Sequence, residues 1–341
     1  MKLITFCVPC YNSQDYMSHC IDTLLLGGED VEIIIVNDGS KDNTAKIADE
    51  YQEKYPTIVR AVHKENGGHG SGVNKGLELA TGLYYKVIDS DDWADEKGYT
   101  TLLNNIKERL KENNLPDVYI MDFLYNKPSK NSTYQRSYAH QFIHNDFTTW
   151  DKVKKFTASE MFLMHALFYK TENLRASKMK LPEHTFYVDN IYAYAPLPYM
   201  KNIYYIPEVF YIYYIGREDQ SVTVDNIVKR YEQQIRVFKV LFDTYKYDDI
   251  KKMEKGLRKY MFHALNLMTL VTLMFTCGKN TKERKEATKE MWKYCKEHDK
   301  KLYRFLRYRS FAVLVNFLPF GLKGKIMMAG YKAEVRKHNV G

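Results

Sequence analysis

Residues 31–36 read VEIIIV, a run in which every position but one is apolar and β-branched. Such a run suits a strand covered on both faces, because no face of it can be left to water. Its neighbours extend the pattern. Leu3–Val8 is a strand-like apolar run, and Ser13–Leu26 has helical spacing and stops at Gly27-Gly28. After the VEIIIV strand, Ser40–Thr44 opens a helix expected to reach Lys54, and Ile58–His63 is a third strand. A glycine-rich turn, Asn66–Gly72, leads into a helix ending near Ala80, and Tyr84–Ile88 is a fourth strand. Strands separated by helices of this length predict a mostly parallel sheet with helices on both faces.

Beyond residue 115 the pattern is mixed, with short aromatic strands at Val118–Met121, Ile203–Ile206 and Phe210–Ile215. From about Asp225 it is helical: Ile227–Thr244, Asp249–Phe275, Thr281–His298 and Lys301–Leu318. Two regions are therefore expected, 1–225 carrying the sheet and 226–341 helical. Tyr260–Thr276 is strongly apolar but falls short of the ~20 residues that span a bilayer, so a buried helix is expected there.

Ligands of an open parallel sheet bind at the carboxyl ends of its strands. Here those ends carry Pro9-Cys10-Tyr11-Asn12, Asn37-Asp38-Gly39-Ser40, the glycine-rich turn, and Asp89-Ser90-Asp91-Asp92. Three carboxylates within four residues repel one another unless a cation neutralises them. Asp89 and Asp91, two apart in extended backbone, would share a face. Oxygen ligands alone suit Mg²⁺ or Mn²⁺ bridging to a diphosphate. Asp38 is placed to accept hydrogen bonds from a ribose or base edge, or else to cap the helix after Ser40. The glycine-rich turn could let backbone approach a phosphate, but it lacks the G-K-[ST] of a P-loop. It also follows the third strand, not the first as in dinucleotide-binding folds.

Four stretches, Val8–Asn12, Glu32–Thr44 (EIIIVNDGSKDNT), Asn66–Gly76 (NGGHGSGVNKG) and Val87–Trp93 (VIDSDDW), resemble glycosyltransferase family 2 in order and spacing. The resemblance implies a GT-A (Rossmann-like) fold, a nucleoside-diphosphate-sugar donor, usually a UDP-sugar, and inversion at the anomeric carbon. It puts uridine contacts at Pro9, Tyr11, Asn12 and Asp38, and further donor contacts at Gly68, Asn74, Asp89 and Ser90. The metal ligands would be Asp89 and Asp91, with Asp92 adjacent. Further on, Leu181–Asn190 (LPEHTFYVDN) and Tyr213–Thr223 (YYIGREDQSVT) are similar to the family's acceptor-side segments. They imply Asp189 as catalytic base and Arg217 near the diphosphate. The glutamate that precedes the base in the family is Val188 here.

Charge sharpens the picture. The net charge is +9, and Asp299–Gly341 alone holds ten Lys/Arg against Asp299 and Glu334, so the rest is nearly neutral. An extended nucleic-acid stripe is therefore not expected, while the tail reads as a segment for anionic lipid or as a helix with a solvated basic face. The five cysteines, with one isolated C-x-x-C at Cys7 and Cys10, read as reduced and structural. The opening residues lack a signal-peptide pattern. The chain is expected in the cytoplasm, peripheral at the inner face of the cell membrane. The expected acceptor is a saccharide, lipid-linked or protein-linked molecule, as in cell-surface polysaccharide or glycoconjugate synthesis. The alternative is a catalytically inactive family member that acts as a partner of another transferase.

Overall fold

The VEIIIV run is the core of a strand buried at all but one of its positions in the computed structural model, which describes residues 1–216, 224–310 and 313–337. The chain divides into two compact units. One comprises Met1–Lys154 and Phe162–Tyr214; the other comprises Lys155–Met161 and Ile215–Gly341.

In the first unit the elements are β1 (Ile4–Cys10), α1 (Met17–Leu24), β2 (Val31–Asp38), α2 (Thr44–Lys54), β3 (Val59–Lys64), α3 (His69–Leu79) and β4 (Tyr84–Val87). They continue with β5 (Trp93–Ala94), α4 (Glu96–Lys111), β6 (Val118–Lys127), β7 (Ser132–Arg136), β8 (Phe147–Thr149) and β9 (Leu167–Lys170). The last are α5 (Thr171–Ala176), α6 (Asp189–Tyr194) and β10 (Asn202–Tyr214). One sheet runs β3-β2-β1-β4-β9-β6-β10-β5, with β7 paired to β6 and β8 to β10. The β1–β2, β2–β3, β1–β4 and β6–β10 pairings are parallel. β9, by contrast, runs antiparallel to both β4 and β6.

The register brings the functional strand ends to one edge. Cys10 lies opposite Asn37, Asp38 opposite Lys64, and Val87 opposite Cys7. Helix α3 approaches β1 closely through two glycines one turn apart. A Cβ on Gly76 would fall 2.3 Å from Cys7 Sγ, and one on Gly72 would fall 3.1 Å from Pro9 Cβ.

Several expectations shift. Helix α3 begins at His69, inside the glycine-rich stretch, because Gly68 supplies the left-handed backbone (φ 83) that starts it. The segments 203–206 and 210–215 join in one strand, β10, which absorbs the interruption through register shifts between Ile206 and Tyr211. The strand β4 stops at Val87, and Asp89–Asp92 forms a turn closed by Asp92 N–H donating to the Asp89 carbonyl (3.0 Å). Asp89 and Asp91 therefore do not sit on extended backbone.

The second unit contains α7 (Val224–Lys229), α8 (Tyr231–Thr244), α9 (Tyr247–Lys252), α10 (Lys255–Cys277), α11 (Lys282–His298), α12 (Lys300–Tyr308), α13 (Val313–Asn316) and α14 (Phe320–Lys337). The expected helix 249–275 is broken where Met253 and Glu254 are extended. The expected helix 301–318 ends at Tyr308, where Asn316 Nδ2 donates to the carbonyls of Leu306 and Arg307 and folds the chain back. Helix α10 is the one described helix long and apolar enough to cross a membrane, and 72% of its apolar window is buried inside this structure. Its threonines 269, 272 and 276 return their hydroxyls to backbone carbonyls of the same helix, so these hydroxyls are satisfied within the apolar stretch.

Candidate active site

Asp38, at the end of β2, is buried and accepts from Gly67 N–H (2.9 Å), Gly68 N–H (2.7 Å) and Lys64 Nζ (2.7 Å). It caps no helix. It pins the glycine-rich turn to the sheet edge. Asn12 does similar work one strand over, its Oδ1 accepting from Lys41 N–H at 2.9 Å. Its left-handed backbone (φ 50) suits an asparagine. Ser90 and Ser13 share a hydrogen bond of 2.8 Å, joining the acidic turn to the loop after β1.

The turn and the segment before α6 hold each other. His184 N–H donates to Gly67 O (2.6 Å), and a Cβ on Gly68 would meet His184 N at 3.1 Å. Asn74, on α3, donates to Leu181 O (2.8 Å) and accepts from Leu181 N–H (3.0 Å). His184 (φ 46) and Tyr187 (φ 65) adopt left-handed backbone, a conformation that costs a bulky residue energy and is common at functional segments. Val188, where the resemblance leads one to expect Glu, is buried against α3, beside Gly70. A glutamate there would lie in apolar surroundings.

Between these walls is a cleft of about 390 Å³ lined by Pro9, Cys10, Tyr11, Asp38, Asn66, Gly68, His69, His184, Thr185 and Phe186. Its volume lies in the range of small-ligand sites. Tyr11 is 52% exposed and Phe186 43%, so the lining includes two aromatic side chains open to solvent in part. The sequence reading anticipated Pro9, Tyr11, Asp38 and Gly68 in this lining and missed the 184–186 wall. No periodicity marks that wall; only the positive-φ backbone and Asn74's hold on Leu181 place it.

His69, in that lining, connects to the acidic turn. Asp89 Oδ1 pairs with His69 Nε2 at 2.8 Å. Burial acts to raise the Asp89 carboxyl, but the charge and hydrogen bond of His69 overcome it and hold it below the ordinary range. Burial likewise acts against a charged His69, and Asp89, Asp189 and Asp91 together outweigh it, so the imidazole titrates above its usual value. Asp92 is fully buried and accepts from Tyr211 Oη (2.5 Å) and Tyr214 N–H (2.8 Å). Burial, then repulsion from Asp91 and Asp89, lifts its carboxyl well above the normal range. His165 lies against Tyr211 and Tyr213, and burial takes its imidazole down to about 4. One ligand atom each from Asp89, Asp92 and His165 lies within 4.8 Å of the others. Asp91 is half-buried and is not in that group.

Asp189 is the first residue of α6 and half-buried. Burial raises its carboxyl to about 6; His69 opposes the rise and Asp89 adds to it. His69 is thus coupled by charge to carboxylates on both sides of the site. It stands within the quoted NGGHG stretch, but nothing in that spacing marks it as the bridge. Arg217 lies outside the described residues.

Residues 5–170 match the family model described as glycosyl transferase family 2. Those residues form a glycosyl transferase family 2 domain. An uncharacterized glycosyltransferase of Mycoplasma pneumoniae, the MG025 homolog, is 29% identical over 65% of this chain and 71% of that protein. Of three further curated relatives the chain spans between 12% and 37% of the length. Among solved structures, S. aureus TarS 1-349 in complex with UDP-GlcNAc aligns over 98% of this chain and 92% of its own, with TM-score 0.64 and 17% identity. A Pyrobaculum calidifontis mannosyltransferase in complex with GDP-Man and Mn²⁺ aligns over 98% and 86%, with TM-score 0.50 and 15% identity. The chain thus has the GT-A fold.

Proposed function

We propose that this glycosyltransferase moves a sugar from a UDP-sugar to an acceptor hydroxyl with inversion, in cell-surface polysaccharide or glycoconjugate synthesis. The observation that carries the reading is the cleft itself. Tyr11, Asp38, Gly68 and Phe186 line it together with His69, whose imidazole pairs with Asp89 of the acidic turn and is coupled by charge to a second, raised carboxyl, Asp189. The UDP-GlcNAc in the TarS complex and the GDP-Man with Mn²⁺ in the mannosyltransferase support the donor class and the metal.

The acidic turn fits a divalent cation. Burial, together with repulsion from Asp91 and Asp89, drives Asp92 toward its neutral form, and a hard cation would relieve the repulsion. Asp89 and, as the family resemblance implies, Asp91 would hold the Mn²⁺ or Mg²⁺, with Asp92 and His165 near enough to Asp89 to complete the ligand set. When bound, that ion stabilises negative charge on the departing diphosphate. Pro9, Tyr11 and Asn12 border the uridine, and Gly68 gives the donor close access to backbone. Asp38 and Asn74 keep the turn and the 181–185 segment in place. Asp189 takes the proton of the acceptor hydroxyl as its oxygen attacks the anomeric carbon. The bond to the diphosphate breaks with its electron pair, and one displacement inverts the configuration.

The test is UDP release from UDP-glucose, UDP-galactose, UDP-GlcNAc and UDP-GalNAc, with Mn²⁺, Mg²⁺ or EDTA. One donor turned over above the rest, and silenced by EDTA, is expected. No binding of UDP to the purified chain by calorimetry, with or without metal, would refute the reading.

A further inference from the structure

Between Asp299 and Glu334 the chain carries eight Lys/Arg and no acid. Three of the eight are used inside the second unit. Lys301 pairs with Asp248, the Arg307 guanidinium lies over Trp292 (4.9 Å), and Lys323 is buried with its ammonium on Asn316 O (3.2 Å). Lys300, Arg304, Arg309, Lys325 and Lys332 are exposed.

The apolar residues among them also divide. Leu302 and Leu306 bury the inner face of α12, and Phe305 packs on Phe262 at 4.5 Å. By contrast Tyr308, Phe317, Leu322 and Ile326 are exposed, at 49%, 66%, 47% and 47%. The rings of Tyr308 and Phe317 adjoin, with centroids 6.0 Å apart. The orientation of α14 explains the other two. Gly324 sits where a Cβ would fall on the Cys277 carbonyl oxygen of α10, so only glycine allows the helix to dock there. With Lys323 and Gly324 buried, Leu322, Lys325, Ile326 and Ala329 come outward at helical spacing. The packing that seats α14 is therefore the packing that exposes its apolar stripe.

We infer that the C-terminal segment of the second unit is a membrane-docking surface that takes anionic lipid, with Tyr308, Phe317, Leu322 and Ile326 entering the interface and Arg304, Arg309 and Lys325 meeting headgroups. Apolar side chains alone would suit any hydrophobic partner. Their interleaving with exposed cations, and the absence of any acid between 300 and 333, selects a surface that is apolar below and negative at its boundary. Each cation near such a surface multiplies affinity about fivefold, and salt weakens that part of the binding.

The test is co-sedimentation of the full chain with phosphatidylcholine vesicles, and with vesicles containing about a third phosphatidylglycerol, at low and high salt. Binding to the anionic vesicles is expected, at least tenfold stronger than to neutral ones and reduced several-fold by salt. L322D/I326D should abolish it, and R304E/R309E should weaken it about tenfold or more. UDP release and the melting curve should be unchanged in both variants, since neither pair is in the cleft. Equal binding to neutral and anionic vesicles, no binding to either, or wild-type binding by L322D/I326D would overturn the proposal. So would a folded chain that ignores vesicles but binds RNA oligonucleotides or self-associates through this segment.

Discussion

The acid at the end of β2 and the acids after β4 occupy comparable places in the sheet and live under opposite electrostatics. Asp38 is surrounded by donors: two backbone amides and the Lys64 ammonium take up its carboxylate. The Asp89–Asp92 turn sets three carboxylates close together, with His69 paired to the first of them. One of its carboxyls is lifted by burial and like charge, and the nearest imidazole besides His69 is held neutral. The place of an aspartate at a strand end thus does not by itself fix its role. The first holds the turn in shape, and the second is an excess of negative charge that the proposed cation would neutralise. Substitutions at the two ends should separate these roles.

The largest effect is expected at the β4 end. Asp91→Ala removes a proposed cation ligand from a turn whose fold rests on the Asp92 hydrogen bonds to Tyr211 and Tyr214. Turnover should fall by ~10³-fold or more, because a bound cation supplies several kcal/mol of charge stabilisation. Mn²⁺ titration followed by electron paramagnetic resonance should show weaker binding, with the melting temperature retained. Native-like turnover in EDTA would break the contrast between the two strand ends.

Asp189 comes next. Asp189→Asn keeps the shape and cannot take a proton, so kcat should drop on the order of 10²-fold or more with UDP affinity little changed. The sign of the pH dependence follows from the raised carboxyl. The base works when ionised, so kcat/KM is full above its pKa and falls as pH drops through about 6. A cation at Asp89 and Asp91 would draw this limb to lower pH, never higher. The limb should vanish in Asp189→Asn; its survival there would assign the base elsewhere.

What could be read beforehand follows the range of the interactions. The β1–β4 half was legible because each strand is a local apolar run and each polar end follows it directly. The turn of Asp89–Asp92 was legible as a cluster but not as a geometry: extended backbone was expected, and the closing hydrogen bond depends on where β4 ends. His69, His165, His184 and Phe186 were not singled out, because their roles arise from residues 20 to more than 100 positions away, such as Asn74 on Leu181. The single helices expected at 249–275 and 301–318 failed for a related reason. The apolar periodicity continues through both breaks, which are made by extended backbone at Glu254 and by Asn316 folding back on α12.

The smallest effect, and the sharpest test of the contrast, is expected at Asp38. Asp38→Asn preserves the side-chain outline, yet one of its two oxygens becomes an NH₂ group. That group must then face either the Gly67 or the Gly68 amide, donor against donor, and the ion pair with Lys64 is lost. Asp38 and the Gly67 amide are buried, so water cannot readily replace the missing acceptor. Lys64 is 23% exposed and will re-solvate in part, which keeps its share small. The cost should be about 2 kcal/mol, a fall of roughly 4–8 °C in melting temperature for a domain of this size. UDP affinity should weaken modestly as the turn loosens, while Mn²⁺ affinity stays as in the parent, because the clamp and the cation site draw on different carboxylates. Unchanged melting with a tenfold or greater loss of UDP binding would instead make Asp38 a direct ligand of the nucleotide, and the two strand ends would then differ only in what they bind.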